Sequence, residues 1–199
     1  INESLNLIQK ALVFRKNFPP YVKLYLEILI QNKNYKRAKK YLKNIWNEKP
    51  HSEYKDIIKT LASCLNMDYL DLVKYIISSN SIKEESKILM VEASITNGKW
   101  DLARNEIKSL LDVEPKKEIC LLMAKIEEGD TGDSQKINSW KLRARNGLDQ
   151  NMWFCIYSNQ TQNLWTSVSK AGYFNSLEWR QPNMLNQYNS QNQSISYDN

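Results

Sequence analysis

Residues 32–50 read NKNYKRAKKYLKNIWNEKP, and residues 97–115 read NGKWDLARNEIKSLLDVEP. The two stretches share one grammar: an aromatic (Tyr35, Trp100), an alanine three residues on (Ala38, Ala103), an aliphatic four further (Leu42, Ile107), and a proline twelve after the alanine (Pro50, Pro115). Each position has a task in a pair of antiparallel helices. Alanine lets the second helix approach the first closely, the aromatic fills the space where the two diverge, and the aliphatic one turn later continues the buried stripe. Proline ends the helix or opens the next one.

An A-x3-apolar pattern that follows an aromatic and closes on proline is the grammar of the tetratricopeptide repeat, whose period is about 34 residues. It predicts an all-α solenoid of helical hairpins over residues 1–147. The two copies lie 65 residues apart, so one more unit must fit between them. His51 to Asn80 supplies it, with Tyr54, Ile57, Ile58 and Leu61 on one helix and Leu70, Leu72, Val73 and Ile76 on the next, although the alanine and proline signals are missing. The first helices of the two clear copies are amphipathic: Tyr21, Leu24, Tyr25, Ile28 and Leu29 in one, Ile88, Leu89, Val91, Ala93 and Ile95 in the other. Leu5, Ile8, Ala11, Leu12 and Phe14, ahead of Phe18-Pro19-Pro20, read as the second helix of a preceding, truncated repeat. A fourth hairpin follows Pro115, with Ile119, Leu122, Met123 and Ile126, a turn at Gly129-Asp130-Thr131-Gly132-Asp133, and Ile137, Trp140 and Leu142.

From Leu148 the composition changes. Residues 148–182 hold Trp153, Phe154, Tyr157, Trp165, Tyr173, Phe174 and Trp179 without a helical period, which predicts a compact irregular or short-stranded module with Trp153, Trp165, Phe174 and Trp179 as its core. Residues 183–199 are mostly Asn, Gln and Ser, too polar to offset the entropy of ordering, and read as a loose tail.

The 199 residues suffice for a sizeable core without covalent staples. Cys64, Cys120 and Cys155 form no C-x-x-C pair and read as reduced thiols in a reducing compartment. Lys plus Arg number 28 against 22 Asp plus Glu, giving a mild attraction to acidic surfaces. No apolar run approaches the roughly 20 residues that cross a bilayer. The start at Ile1, without a methionine, reads as part of a longer protein.

No constellation able to run an enzyme is visible. The single histidine, His51, follows a proline and has no partner at metal spacing, so it reads as a surface cap. Cys64 and Cys120 occupy apolar stretches and read as core. Lys36, Arg37, Lys39, Lys40 and Lys43, after Lys33, form the strongest charge feature and are opposed in their helix only by Glu48. Such a run is either a solvated helix face or a surface for nucleic acid or anionic lipid. Glu84-Glu85 and Glu127-Glu128 read as exposed pairs near helix ends. There is no Gly-rich phosphate loop and no serine elbow, and no catalytic, cofactor-binding or metal residue is expected.

Several motifs in the second half, G-K-W-D-L-A-R (98–104), L-L-M-A-K-I-E-E-G-D (121–130), D-Q-N-M-W-F-C (149–155), Trp165 and F-N-S-L-E-W-R-Q-P (174–182), resemble the C-terminal half of the HemY-like family. These are inner-membrane tetratricopeptide-repeat proteins associated with late haem (porphyrin) biosynthesis in proteobacteria. In alphaproteobacterial relatives the Trp-rich module is similar to a zinc ribbon with two C-x-x-C pairs. Here the first pair survives only as Cys155, with Ser158 at the partner position, and Val168 to Gly172 contains no cysteine. One thiolate cannot hold a structural zinc, so no zinc is expected. The module would instead rest on its aromatics and dock on the last hairpin as an end cap.

The resemblance implies a non-enzymatic, protein-binding scaffold anchored at the bacterial inner membrane by N-terminal segments, with the repeats on the cytoplasmic side and haem-biosynthesis proteins as candidate partners. It implies no bound cofactor. Two alternatives are binding of nucleic acid or an anionic surface through the Lys33–Lys43 face, of which the nucleic-acid form is the less expected, and a haem or porphyrin chaperone.

Overall fold

The computed structural model describes residues 2–111 and 116–181; Pro115, Pro182 and the tail 183–199 lie outside the described residues. Within them the chain is mostly helical, with a small three-stranded sheet near its end. It divides into two compact units, Ile1–Val113 with Lys125–Ser134, and Glu114–Ala124 with Gln135–Asn199.

The first unit is a succession of antiparallel helices: α1 (Asn2–Phe14), α2 (Pro19–Gln31), α3 (Tyr35–Glu48), α4 (Lys55–Leu65), α5 (Tyr69–Ile77), α6 (Glu84–Thr96) and α7 (Trp100–Leu111), closed by the last part of α8 (Lys117–Asp130). Three hairpin turns, α2–α3, α4–α5 and α6–α7, are built alike. Each pivots on one residue in the left-handed region: Lys33 (φ 57°), Asn66 (φ 49°) and Gly98 (φ 63°). In each, that residue's N–H donates to the carbonyl three residues back, and the next N–H donates to the carbonyl five back (Asn34 to Leu29, 2.8 Å; Met67 to Ala62, 3.0 Å; Lys99 to Ser94, 2.8 Å). These paired bonds satisfy helix-end carbonyls that would otherwise be orphaned. Each turn then hands over to an aromatic that begins the second helix: Tyr35, Tyr69 and Trp100. Tyr69 stands three residues after its pivot, whereas Tyr35 and Trp100 stand two after theirs, and three residues beyond Tyr69 the alanine position holds Leu72.

Ala38 and Ala103 are both 0% exposed. Around Ala38 the core is continuous through Leu26, Leu29, Leu42, Trp46, Ile58, Leu61, Leu72 and Leu89, each fully buried side chain contributing about 1.5–3 kcal/mol. The outer positions depart from expectation. Leu24 faces outward on α2, and Phe14 is exposed at the end of α1. Cys64 is exposed rather than in the core, because its neighbours Leu61 and Ala62 occupy the inner face of α4.

The Gly129-to-Asp133 turn is shorter than expected, since α8 runs through Gly129 to Asp130. A β-carbon on Gly129 would overlap the Trp100 indole, so glycine persists in the helix to admit that ring. Glu127, expected on the surface, is buried because Arg104 of α7 grips it with two parallel bonds of 2.7 and 3.0 Å and takes Asp130 at 2.8 Å.

The second unit contains the start of α8, the helix α9 (Ser134–Asn146) from Gln135 on, and the strands β1 (Met152–Cys155), β2 (Thr161–Gln162) and β3 (Leu177–Arg180). The Lys117 N–H donates to the Leu148 carbonyl at 2.9 Å, joining the start of α8 to the chain entering the strands. The sheet order is β2-β1-β3, antiparallel throughout, with Trp153 opposite Gln162 on one side and Trp179 on the other. Its core is narrower than the aromatic count suggests. Trp153 is 2% exposed and meets Trp179 edge to face at 5.3 Å, and Phe154 is buried beneath the Arg180 guanidinium. Trp165 and Trp179 are half-buried, and Phe174 is 75% exposed because it follows a tight loop that turns its ring outward. Leu142, expected inward on α9, is exposed.

Candidate functional site

Three places gather polar chemistry. The first is the lysine run. Lys36, Arg37 and Lys40 are exposed on α3, but Lys39 and Lys43 lean onto the neighbouring α5, where their ammonium groups sit 4.3 and 4.4 Å from the centroid of the Tyr75 ring. The Lys39 ammonium also touches the Met67 sulfur at 3.6 Å. Arg37 is directed differently, toward Tyr25 at 5.9 Å. The run is therefore not a uniform solvated stripe. Two of its members are held on an aromatic ring by cation–π attraction, effective within about 6 Å. Tyr75 and Met67 are separated from the lysines by 24 residues or more, and no local signal in the sequence pairs them.

The second place surrounds His51, which is buried at 4% exposure, not on the surface. It does act as a cap: its Nδ1 accepts the Glu53 N–H at 3.2 Å and opens a short 3-10 turn, Ser52–Tyr54. Burial, and then the charge of Lys49, hold the imidazole down at about 4. Nearby, the Trp46 indole donates to the Ser86 hydroxyl at 2.9 Å and the Asn80 amide donates to the Asn47 carbonyl at 3.1 Å, tying α3 to the chain that leads into α6. These groups are engaged in packing. Tyr54, fully buried beside them, carries a hydroxyl with no hydrogen-bond partner among the described residues.

The third place is in the strand module. Two tight turns, at Cys155–Asn159 and Ser169–Tyr173, face one another; the Asn159 N–H donates to the Cys155 carbonyl at 3.0 Å, and the Gly172 N–H to the Ser169 carbonyl at 2.9 Å. Asn159 (φ 56°) and Gly172 (φ 86°) supply the left-handed backbone that such turns need. Between the turns the buried Cys155 sulfur donates to the Ser169 hydroxyl at 3.5 Å and shares a hydrogen bond with the Ser176 hydroxyl at 3.3 Å. Burial pushes its thiol up, but the dipoles of Ser158, Ser176 and Ser169 outweigh this and bring it down to about 6. Ser158 acts from close by, although its buried hydroxyl forms no well-aligned bond. One sulfur and three hydroxyls do not fit a structural zinc, which takes four donors drawn from thiolate, imidazole and carboxylate. Among the described residues no three His, Cys, Asp or Glu side chains gather as ligands. The cluster instead joins the two turns through hydroxyls and a thiol.

The basic-surface residues thus divide between α5 and solvent, and the module aromatics between a small core and an exposed rim. No protein-family model matches the chain, and no curated protein matches it.

Proposed function

We propose that the chain is a non-enzymatic scaffold of tetratricopeptide-like hairpins that holds partner proteins, in keeping with its resemblance to the HemY-like family. On this reading it works at the cytoplasmic face of a bacterial inner membrane, with haem-biosynthesis proteins among its partners. The observation that carries the reading is the recurrence of one turn, with the same two backbone bonds, at Lys33, Asn66 and Gly98. Intervals of 33 and 32 residues fit a repeat of about 34, and stacked repeats present extended surfaces suited to other proteins.

The titratable groups support a structural use: His51 caps a turn, Glu127 is clasped by Arg104, and Cys155 is enclosed by serines. A haem carrier would need an accessible axial ligand, and His51 is poorly placed to serve as one. No helix among the described residues is long and apolar enough to cross a membrane. Affinity purification of the full-length protein, identification of what co-purifies, and rebinding of each purified candidate test this reading. Direct, saturable binding of a protein partner supports it. A Soret shift on porphyrin addition, with no protein partner, would replace it with the carrier alternative.

A further inference from the structure

We propose that Lys39 and Lys43, gathered on Tyr75, form an anion clamp that docks an acidic segment of a partner protein; the assignment rests on the scaffold reading above. Like charges four residues apart on a helix repel one another. Here both ammonium groups are drawn to one ring, at 4.3 and 4.4 Å, so the ring concentrates positive charge instead of dispersing it. Carboxylates near this part of the fold are already engaged: Asp71 with Lys74 at 3.6 Å, Asp68 with the Asn97 amide at 2.6 Å, and Glu48 with Lys16 at 3.2 Å. Among the described residues Lys36, Lys39, Lys40 and Lys43 form no ion pair. An incoming carboxylate would relieve the repulsion within the pair and meet Lys36 and Lys40 along the same helix.

The occupant's chemistry follows from three features. The span from Lys36 to Lys43 is about 10 Å along the helix axis, the reach of two or three carboxylates spaced one turn apart on a facing helix. Bases of a nucleic acid stack on free aromatic faces, whereas here the lysines sit over the ring. An interfacial membrane helix needs an exposed apolar face, and the exposed residues of α3 are Lys36, Arg37, Lys40, Asn44, Asn47 and Glu48.

The test titrates the purified chain with a fluorescent, alanine-based helical peptide carrying glutamates four residues apart, alongside an oligothymidylate and phosphatidylserine vesicles. The peptide should bind, and the Lys39→Gln/Lys43→Gln variant should weaken it about tenfold without changing the melting temperature. Tyr75→Leu should weaken it about threefold by releasing the lysines, and Lys10→Gln, on the exposed face of α1, should leave it unchanged. No peptide binding, or equal binding by the double variant, overturns the clamp. Tighter binding of the oligonucleotide or the vesicles overturns the protein assignment. If the double variant still binds a purified natural partner normally, the clamp fails while the scaffold stands; if the natural chain has no protein partner, the scaffold itself fails.

Discussion

The hairpins from α2 to α7 and the strands β1 to β3 are held together by different means. In the hairpins the burial is periodic, so that Ala38 and Ala103, far apart in sequence, are both fully buried, and three turns share one hydrogen-bond scheme. In the strand module the aromatic side chains are plentiful but only Trp153 and Phe154 are buried among them, and the two turns are joined by a thiol and hydroxyls. A repeating element needs its apolar stripe at fixed spacing, and spacing survives as a readable pattern. A small sheet needs a few well-placed side chains, and abundance does not say which.

The largest expected effect is in the module. Trp153→Ala should destabilise it by about 3–5 kcal/mol, and Phe174→Ala by less than about 0.5 kcal/mol, in urea titrations followed by module resonances in NMR. Equal losses would mean that the exposed aromatic rim carries as much of the packing as the core.

In the hairpins, His51 gives a pH-dependent effect. Its folded value of about 4 lies below the unfolded value of about 6.5. Above pH 6.5 both states are neutral and nothing is lost; between 6.5 and 4 the unfolded chain takes up the proton and the folded chain does not. Stability should therefore fall as pH drops through that window, by up to roughly 3 kcal/mol, and level off below pH 4. His51→Asn keeps a capping acceptor and should remove this part of the loss, visible as a smaller difference in urea midpoint between pH 7 and pH 4.5.

Equivalence of the repeats is tested by Ala38→Leu and Ala103→Leu, each of which should cost about 1–3 kcal/mol by overpacking a closed crossing. A loss at only one site, read from thermal melts, would break the equivalence. The smallest effect sharpens it. Lys33 holds the left-handed position that Gly98 occupies in the later turn, so Lys33→Gly should stabilise by about 1 kcal/mol, since glycine adopts that region without strain.

Much of the hairpin region was legible because the aromatic, alanine and proline at Tyr35, Ala38 and Pro50 return at Trp100, Ala103 and Pro115. The middle unit was legible only by its apolar residues, since Leu72 stands where Ala38 and Ala103 stand in the clear copies and no proline closes it. Contacts between distant residues left no local trace. Glu127 reads as half of a surface pair until Arg104 is placed beside it, and Gly129 reads as a turn residue until the Trp100 ring fills the space above it. Lys39 and Lys43 were visible as charge, but their aromatic seat required α3 and α5 to be set side by side. In the module, aromatic residues can be counted from sequence but not oriented, which is why Phe174, expected in the core, stands exposed.

On the proposed reading the hairpins, not the strand module, hold the partners. Chemical cross-linking of the full-length protein in the cells that make it, followed by purification and mapping of the linked residues, tests this most directly. Partner proteins should be recovered linked to residues of α2 to α6, with Lys36 and Lys40 among the linked side chains. Links confined to residues 148–181, or no protein partner at all, would contradict the account.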